Sequence, residues 1–319
     1  MESTTNRPTW KTLLAFAIIY FVWGTTFLAI RIGVREVSPF LLAAMRFLIA
    51  GLVLCGWTIA HGDKFPNGRQ WASAFVLAFL IFVMDYGLLF WAEQRVPSGL
   101  AAVMMATIPA FTALSEIILL RTQKLTARLA SALLIGLGGV AVLVSRSLNL
   151  GGEPINRAGA VALIVGSMSW SIASALSRKL PLPPSKVMSS GAQMLAGGIL
   201  LALAAGALGE FRAFHPSAVS RGAWLALLYL IVFGSIAGFT AYVWLIHHES
   251  LTKVGTYAYV NPVVAVFVGY FLAGEALGPR TILGTLFILV SVVTITTAPA
   301  KKAAAAPAAK PAAADALES

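Results

Sequence analysis

Trp23-Gly24-Thr25-Thr26-Phe27-Leu28-Ala29-Ile30-Arg31 lies within a long apolar stretch, and Trp170-Ser171-Ile172-Ala173-Ser174-Ala175-Leu176-Ser177-Arg178 lies within another, 147 residues later. Each runs from a tryptophan to an arginine eight positions on. A second pair of landmarks repeats the spacing: Trp91 stands eighteen residues before Pro109 and Trp244 eighteen before Pro262, the prolines being 153 apart. The chain is a duplicated unit. Working outward from these marks, apolar stretches of about 20 residues, the length that crosses a bilayer, fall at residues 12–34, 39–60, 70–91, 97–120, 129–145, 158–177, 187–209, 222–246, 254–274 and 281–300. That gives five spans per copy. A unit with an odd number of spans must enter the membrane the opposite way up the second time. The expected fold is therefore an all-α integral membrane protein, with ten transmembrane helices as two inverted five-helix repeats. The repeats are expected at residues 12–146 and 147–300, between a cytoplasmic N-terminus 1–11 and a tail 301–319.

Composition points the same way. Of 319 residues 59% are hydrophobic and 11% charged, with a mean hydropathy of +0.85, whereas a soluble domain carries about 25% charged residues. The first stretch follows Arg7 and Lys11 but is too long for a signal peptide and lacks a small-residue cleavage site, so it is kept as a span. With the N-terminus in the cytoplasm, fourteen of the 23 basic residues fall on inner segments, every lysine among them, and seven on outer ones. The positive-inside rule then places both termini in the cytoplasm. The net charge of +11 is scattered over short loops, which reads as topology and not as nucleic-acid binding. The lone Cys55 excludes an internal disulfide and a cysteine-based metal cluster. Residues 301–319, rich in Ala, Pro and Lys, cannot bury a core and read as a disordered tail.

Val22-Trp23-Gly24-Thr25-Thr26-Phe27-Leu28-Ala29-Ile30-Arg31, then Ser38-Pro39, then Ala44-Met45-Arg46-Phe47-Leu48-Ile49-Ala50-Gly51, resembles the opening of EamA-type transporters of the drug/metabolite transporter superfamily. Pro109 and Pro262 match the family's proline in the fourth span of each repeat, and Gly274-Glu275 followed by Leu277 resembles its Gly-Glu-x-Leu close of the ninth. The equivalent point of the first copy reads Thr122-Gln123-Lys124-Leu125, with glutamine in place of the acid. The resemblance covers residues 12–298 and implies a transporter of the bacterial cell inner membrane. Within the family the chain looks most like the YddG-type exporters of aromatic and other neutral amino acids.

The residues themselves suggest where a site would lie. Trp23 is about eleven residues into its span, roughly 17 Å deep at 1.5 Å per residue and near the midplane. Trp170 is about twelve into its own. Tryptophans of the interfacial belt stand at span ends, as Trp10, Trp57, Trp71 and Trp224 do. Tyr20, Trp23, Phe27 and Ile30 share a helical face with Thr26 beside it, either lining a cavity or packing between helices. Tyr86 and Phe90, four apart, and Phe239 and Tyr242, three apart, can each project from one face. Tyr257 and Asn261 precede Pro262. A proline inside a span frees the carbonyl four residues back, Met105 for Pro109 and Ala258 for Pro262, offering an acceptor and a hinge unless a Ser or Thr satisfies it. Met104, Ser174 and Gln193 complete the candidate lining.

Charges within spans are functional candidates. Arg46 and Asp85 share a depth toward the outer side. They can form an ion pair holding the outer half together, or Asp85 can bind a substrate amine or carry a proton. Glu116, five residues before Arg121, and Arg31 are expected to snorkel or make local salt bridges.

Enzymes find little support. His61, His215, His247 and His248 all lie at or beyond span ends, His247-His248-Glu249 reads as a loop-end cluster, and no metalloprotease, serine-elbow or phosphate-loop motif occurs. No metal or cofactor is expected. A membrane scaffold or receptor is a further alternative, as is a carrier of a drug-like or sugar-type metabolite. Phosphate-bearing cargo would require basic groups in the central cavity, and no lysine falls inside a span. Trp, Tyr, Phe and Met with Thr26, Gln193 and Asn261 suit a neutral or zwitterionic small molecule with an apolar body. Without a nucleotide motif, transport is expected to be secondary or facilitated, by alternating access around Trp23, Tyr86, Trp170 and Tyr257.

Overall fold

The computed structural model describes residues 9–96, 101, 104–144, 156–273 and 279–297. Among them the chain forms helices α1 (Thr9–Val34), α2 (Pro39–Ala60), α3 (Gly68–Glu93), α4 (Ile108–Leu120), α5 (Ala127–Val144), α6 (Arg157–Leu176), α7 (Lys186–Ala207), α8 (Arg221–His248), α9 (Tyr257–Ala273) and α10 (Pro279–Thr296), and no strand. A one-turn helix, Leu251–Gly255, precedes α9. Polar turn residues set the boundaries. Pro39 opens α2 where a missing N–H is harmless, and Asn67 and Gln70 form a capping box before α3. Asn156, Ser185 and Ser220 cap α6, α7 and α8.

Six helices, α1, α2, α3, α6, α7 and α8, are long and apolar enough to cross a membrane. The start of the expected fourth span, Gly274-Glu275 with Leu277, and the tail 301–319 lie outside the described residues. The exterior carries the large apolar side chains: Leu134 is 70% exposed, Leu203 66% and Leu13 65%. Such a surface is stable only against lipid. The interior holds the small residues, as membrane helix packing requires. Gly51 of α2 lies against the Leu195 backbone of α7, and Gly191 and Gly198 of α7 lie against Cys55 and Leu48 of α2. Cys55 is thus a buried packing residue. Gly139 of α5 meets α10 at Phe287 and Gly284 in the same way.

The buried interior falls into two clusters, a large one drawn from α1, α2, α3, α6, α7 and α8 with Ile108 of α4 and Tyr257 and Ala258 of α9, and a smaller one where α5 and α10 meet Ala113 of α4 and Tyr259 and Val263 of α9. Wide π-helical turns interrupt α1 at Ile18–Val22, α3 at Phe79–Gly87, α4 at Glu116–Leu120 and α8 at Leu230–Ala237. Those of α3 and α8 begin at Phe79 and Leu230, 151 residues apart, close to the spacing of the two copies. A π turn adds a residue and loosens the helical hydrogen bonding. It also shifts helical faces: in α1 Ile19 is fully buried while Tyr20 is half-buried, a change from the regular stripe expected.

Candidate functional site

Six aromatic rings from five helices meet inside the bundle: Trp23 of α1, Tyr86 of α3, Trp170 of α6, Phe239 and Tyr242 of α8, and Tyr257 of α9. The two tryptophans meet edge to face, with centroids 5.6 Å apart and planes at 80°. Tyr257 stands 4.8 Å from Trp23, Tyr242 4.7 Å from Trp170, Tyr86 5.8 Å from Trp170 and Phe239 6.3 Å from it. Tilted and perpendicular contacts of this kind suit the charge distribution of aromatic rings. Phe47, Phe82 and Phe90 extend the cluster through Tyr86 and Phe239. All six central rings are buried. Where an open cavity was expected, the rings themselves fill the space. A cleft of about 620 Å³ lies elsewhere, between the end of α3 and the start of α6, with Phe40, Trp91 and Val161 in its apolar wall.

The irregular backbone holds this cluster in place. Gly234, in the π turn of α8, presents its carbonyl to the Trp23 indole, whose Nε1 donates to it at 3.0 Å. Ser235 of the same turn accepts from Arg46 Nε at 2.8 Å. Asp85 and Tyr86 belong to the π turn of α3. In the amide orientation that satisfies its donors, Asn261 donates to the carbonyls of Tyr257 at 3.0 Å and Tyr20 at 3.1 Å, the latter in the π turn of α1. Three π turns therefore supply groups to one site, which no periodicity in the sequence indicates.

The fourth helix of each copy is broken beside the site. Ala106-Thr107 separates α4 from the helical residues before it, and Thr256 separates α9 from Leu251–Gly255. Thr107 Oγ1 donates to Met104 O and Thr256 Oγ1 to Lys253 O, each at 2.6 Å and each three residues back. With its own proton committed, Thr256 accepts from the Tyr20 hydroxyl at 2.7 Å. The prolines sit differently from one another. Pro262 is inside α9 as expected, with Gly24 of α1 against the Asn261 carbonyl. Pro109 is not in a helix interior. It occupies the first turn of α4, where its missing N–H leaves no helical bond unmade, so the expected kink is instead the break before it.

Other expected residues divide into those in the cluster and those outside it. Ser174 donates to Trp170 O at 2.6 Å and so accepts from the Tyr242 hydroxyl at 2.5 Å. Thr26 donates to Trp23 O at 2.7 Å and turns its methyl toward Gly234. Gln193 is buried but donates to Ser189 in its own helix, which leaves it a support of α7. Phe27 and Met104 are half-buried, and it is Met105 whose sulfur meets α6, at Ser167. Asp85 is buried, lies against Gly166 of α6 and has an oxygen, Oδ1, without a hydrogen-bond partner. Of the two readings open for Arg46 and Asp85, the ion pair is not formed. The guanidinium instead lies over the rings of Phe47 and Tyr86, at 4.7 and 5.1 Å. Glu93, at the end of α3, was not singled out in the sequence, yet both its carboxylate oxygens are buried without hydrogen-bond partners.

Charged groups fasten both ends of the bundle. Glu116 neither snorkels nor pairs locally. It is buried, accepts from the backbone N–H groups of Leu251 and Thr252 at 2.9 and 3.0 Å and from the Thr252 hydroxyl at 2.6 Å, and pairs with Arg178 at 3.7 Å. Arg178 also donates to the carbonyls of Ile246 and Glu249, closing α4, α6 and α8 together. Burial lowers the Arg178 pKa, and Glu116 opposes that shift. At the opposite end Glu36 accepts from the N–H and hydroxyl of Ser220, which hold its carboxyl below the ordinary range. Glu210 accepts from Leu41 N at 2.8 Å. Burial raises its carboxyl pKa, opposed by bonds from Leu41 and Phe40.

Two stretches of the chain, residues 10–145 and 157–297, match the EamA-like transporter family. The inner membrane transporter YedA of Escherichia coli is 38% identical over 284 residues, covering 88% of this chain and 89% of that one. The protein PagO of Salmonella typhimurium is 25% identical over 273 residues, covering 85% and 88%. A protein of known crystal structure superimposes with a TM-score of 0.71 at 22% identity, over 90% of this chain and 97% of the other, a likeness of fold.

Proposed function

The chain belongs to the EamA-like transporter family and is a membrane transporter rather than an enzyme, and from that premise we propose that it exports aromatic and other neutral amino acids, or related small metabolites. The site is the ring cluster, and transport proceeds by alternating access across the bacterial inner membrane with both termini in the cytoplasm. One observation carries this reading: six rings drawn from both copies meet beside the broken α4 and α9. Breaks at such a point are the means by which secondary transporters expose backbone groups to cargo. Stacking on Trp23, Trp170 and the tyrosines would supply affinity, with Ser174, Thr26 and Asn261 as the nearby polar groups. The reading takes the architecture to be ten spans in two inverted repeats, residues 12–146 and 147–300. The packing of α2 along α7 and of α5 along α10, equivalent helices side by side, supports that division.

The test is counterflow of a panel of labelled amino acids in vesicles reconstituted with the protein. Wild type should exchange aromatic amino acids, and Trp23→Ala and Trp170→Ala should each lose exchange while keeping their helical content. Full exchange in both variants refutes the site, and no exchange of any amino acid by wild type refutes the substrate class.

A further inference from the structure

Arg46 is almost fully buried, 1% exposed, in the interior of a bundle whose outside faces lipid. Its guanidinium cannot shed its proton under any ordinary condition, so burial leaves it charged. Nε donates to Ser235, the cation lies over the Phe47 and Tyr86 rings, and the Tyr86 hydroxyl is a neutral neighbour. Nη1 has no hydrogen-bond partner. No carboxylate is in ion-pair contact with it among the described residues, whose ion pairs are Arg178–Glu116 and Lys253–Glu249; Asp85, next to Tyr86 in the chain, makes no such contact. A buried cation is costly without an anion, and this one has none within ion-pair distance among the described residues.

The position of Arg46 indicates where the anion comes from. A Cβ added to Gly234 would lie 2.8 Å from Arg46 Nη2, and the carbonyl of this same glycine holds the Trp23 indole. The unneutralised cation therefore borders the ring cluster. We infer that Arg46 is the seat of the cargo's carboxylate, so that the transported class is a small organic acid or zwitterion whose apolar body lies on the Trp23 and Trp170 rings. This deepens the proposed function and rests on it. A carboxylate brings one charge and flat acceptor geometry to a planar guanidinium. A phosphate ester would bring more charge and more acceptor oxygens to a site with a single cation, which makes it the poorer fit.

Competition against labelled phenylalanine in counterflow vesicles tests the assignment, with phenylalanine, 3-phenylpropionate, phenylalaninamide and phenyl phosphate as unlabelled competitors. In wild type, phenylalanine and 3-phenylpropionate should compete about 10- to 100-fold better than phenylalaninamide, the loss expected for one charge-assisted bond. Arg46→Gln should remove that difference, and Arg46→Lys should restore part of it. Should Arg46→Gln fail to fold, the wild-type series decides alone. Phenylalaninamide competing as well as phenylalanine in wild type overturns the role of Arg46 while leaving the proposed function standing. Phenyl phosphate competing best, or discrimination that survives in Arg46→Gln, overturns it too. If wild type exchanges no phenylalanine at all, the proposed function fails and this inference falls with it.

Discussion

Gly51→Ala and Gly56→Ala place the same methyl group on the same helix in opposite surroundings. At Gly51 the new Cβ would stand 2.5 Å from Leu195 N, 2.8 Å from Leu195 Cα and 3.0 Å from Gly191 O. These are backbone atoms of α7, which cannot rotate away. Ordinary contact begins near 3.4 Å, so α2 and α7 must part by about 1 Å, enough to forfeit a quarter to a half of the dispersion energy across the seam. At Gly56 nothing lies within 4 Å of the added group. Both variants gain the same helix propensity, up to about 1 kcal/mol. That term cancels in the difference between them, leaving the overpacking cost of about 1–3 kcal/mol. Expressed as an equilibrium constant, Gly51→Ala should be about 5- to 150-fold less stable than Gly56→Ala. Reversible unfolding of both variants in mixed micelles, followed by helical circular dichroism, measures it. Two variants equal within about 0.5 kcal/mol would refute the close approach of α2 to α7, because overpacking on backbone has no cheaper outcome.

Three further outcomes follow from the site and the two ends of the bundle. Gly238→Ala would bring a Cβ to 2.4 Å from Trp23 Nε1, so it should displace the indole from the Gly234 carbonyl, lower exchange, and shift tryptophan emission without loss of helix. Glu116→Gln removes the partner of Arg178 and weakens the cap on Leu251 and Thr252. A cysteine introduced by Lys253→Cys should then react several-fold faster with a maleimide, and an unchanged rate would argue against the Glu116 contacts closing that end. The Glu36 carboxyl is held below its ordinary value of 4.5 by Ser220, so its contribution is complete above that pH and lost as pH falls through the lower folded value. Wild type should therefore lose stability on acidification below about pH 4.5 more steeply than Ser220→Ala, which removes the hydroxyl bond but keeps the backbone N–H, so that its carboxyl is held down less.

What the sequence made legible was whatever follows from hydropathy and repetition. Pro39 and Ala60 bound α2 as expected, and other predicted spans end within a few residues of the helices observed, because a bilayer-length apolar run between polar turns leaves little freedom. Trp23 and Trp170 were found by depth and by repetition, and they do meet. The failures have one physical source. Pattern reading assumes a regular helix, whereas the ring cluster is held where helices are irregular. The π turns decide that Gly234 and Ser235 face Trp23 and Arg46, and the breaks at Thr107 and Thr256 replace the expected proline kink in α4. Equal depth made Arg46 and Asp85 plausible partners, but depth fixes one coordinate of three. Glu116 was misread because its partner Arg178 is 62 positions away in sequence, beyond any local reading.

The carboxylates at the two ends of the bundle give the proposed alternating access an energetic form. At one end Glu116 joins α4, α6 and the chain after α8 through three hydrogen bonds and an ion pair. At the other, Glu36 joins α1 to α8 and Glu210 joins the turn after α7 to α2. Both sets are formed here, and the rings between them are in contact. On the transport reading this is a closed arrangement, and opening either side means releasing one set while the other holds. The sets differ in kind. Glu116 is buried and Glu36 exposed, so water can take over the bonds of Glu36 as they break but reaches Glu116 only after its helices have begun to part. The Glu36 end should therefore open at the lower cost in the unloaded protein. Cargo whose carboxylate neutralised Arg46 would add a contact in the centre that neither set supplies. Such a contact could shift the balance between the two openings only by binding one of them more tightly than the other.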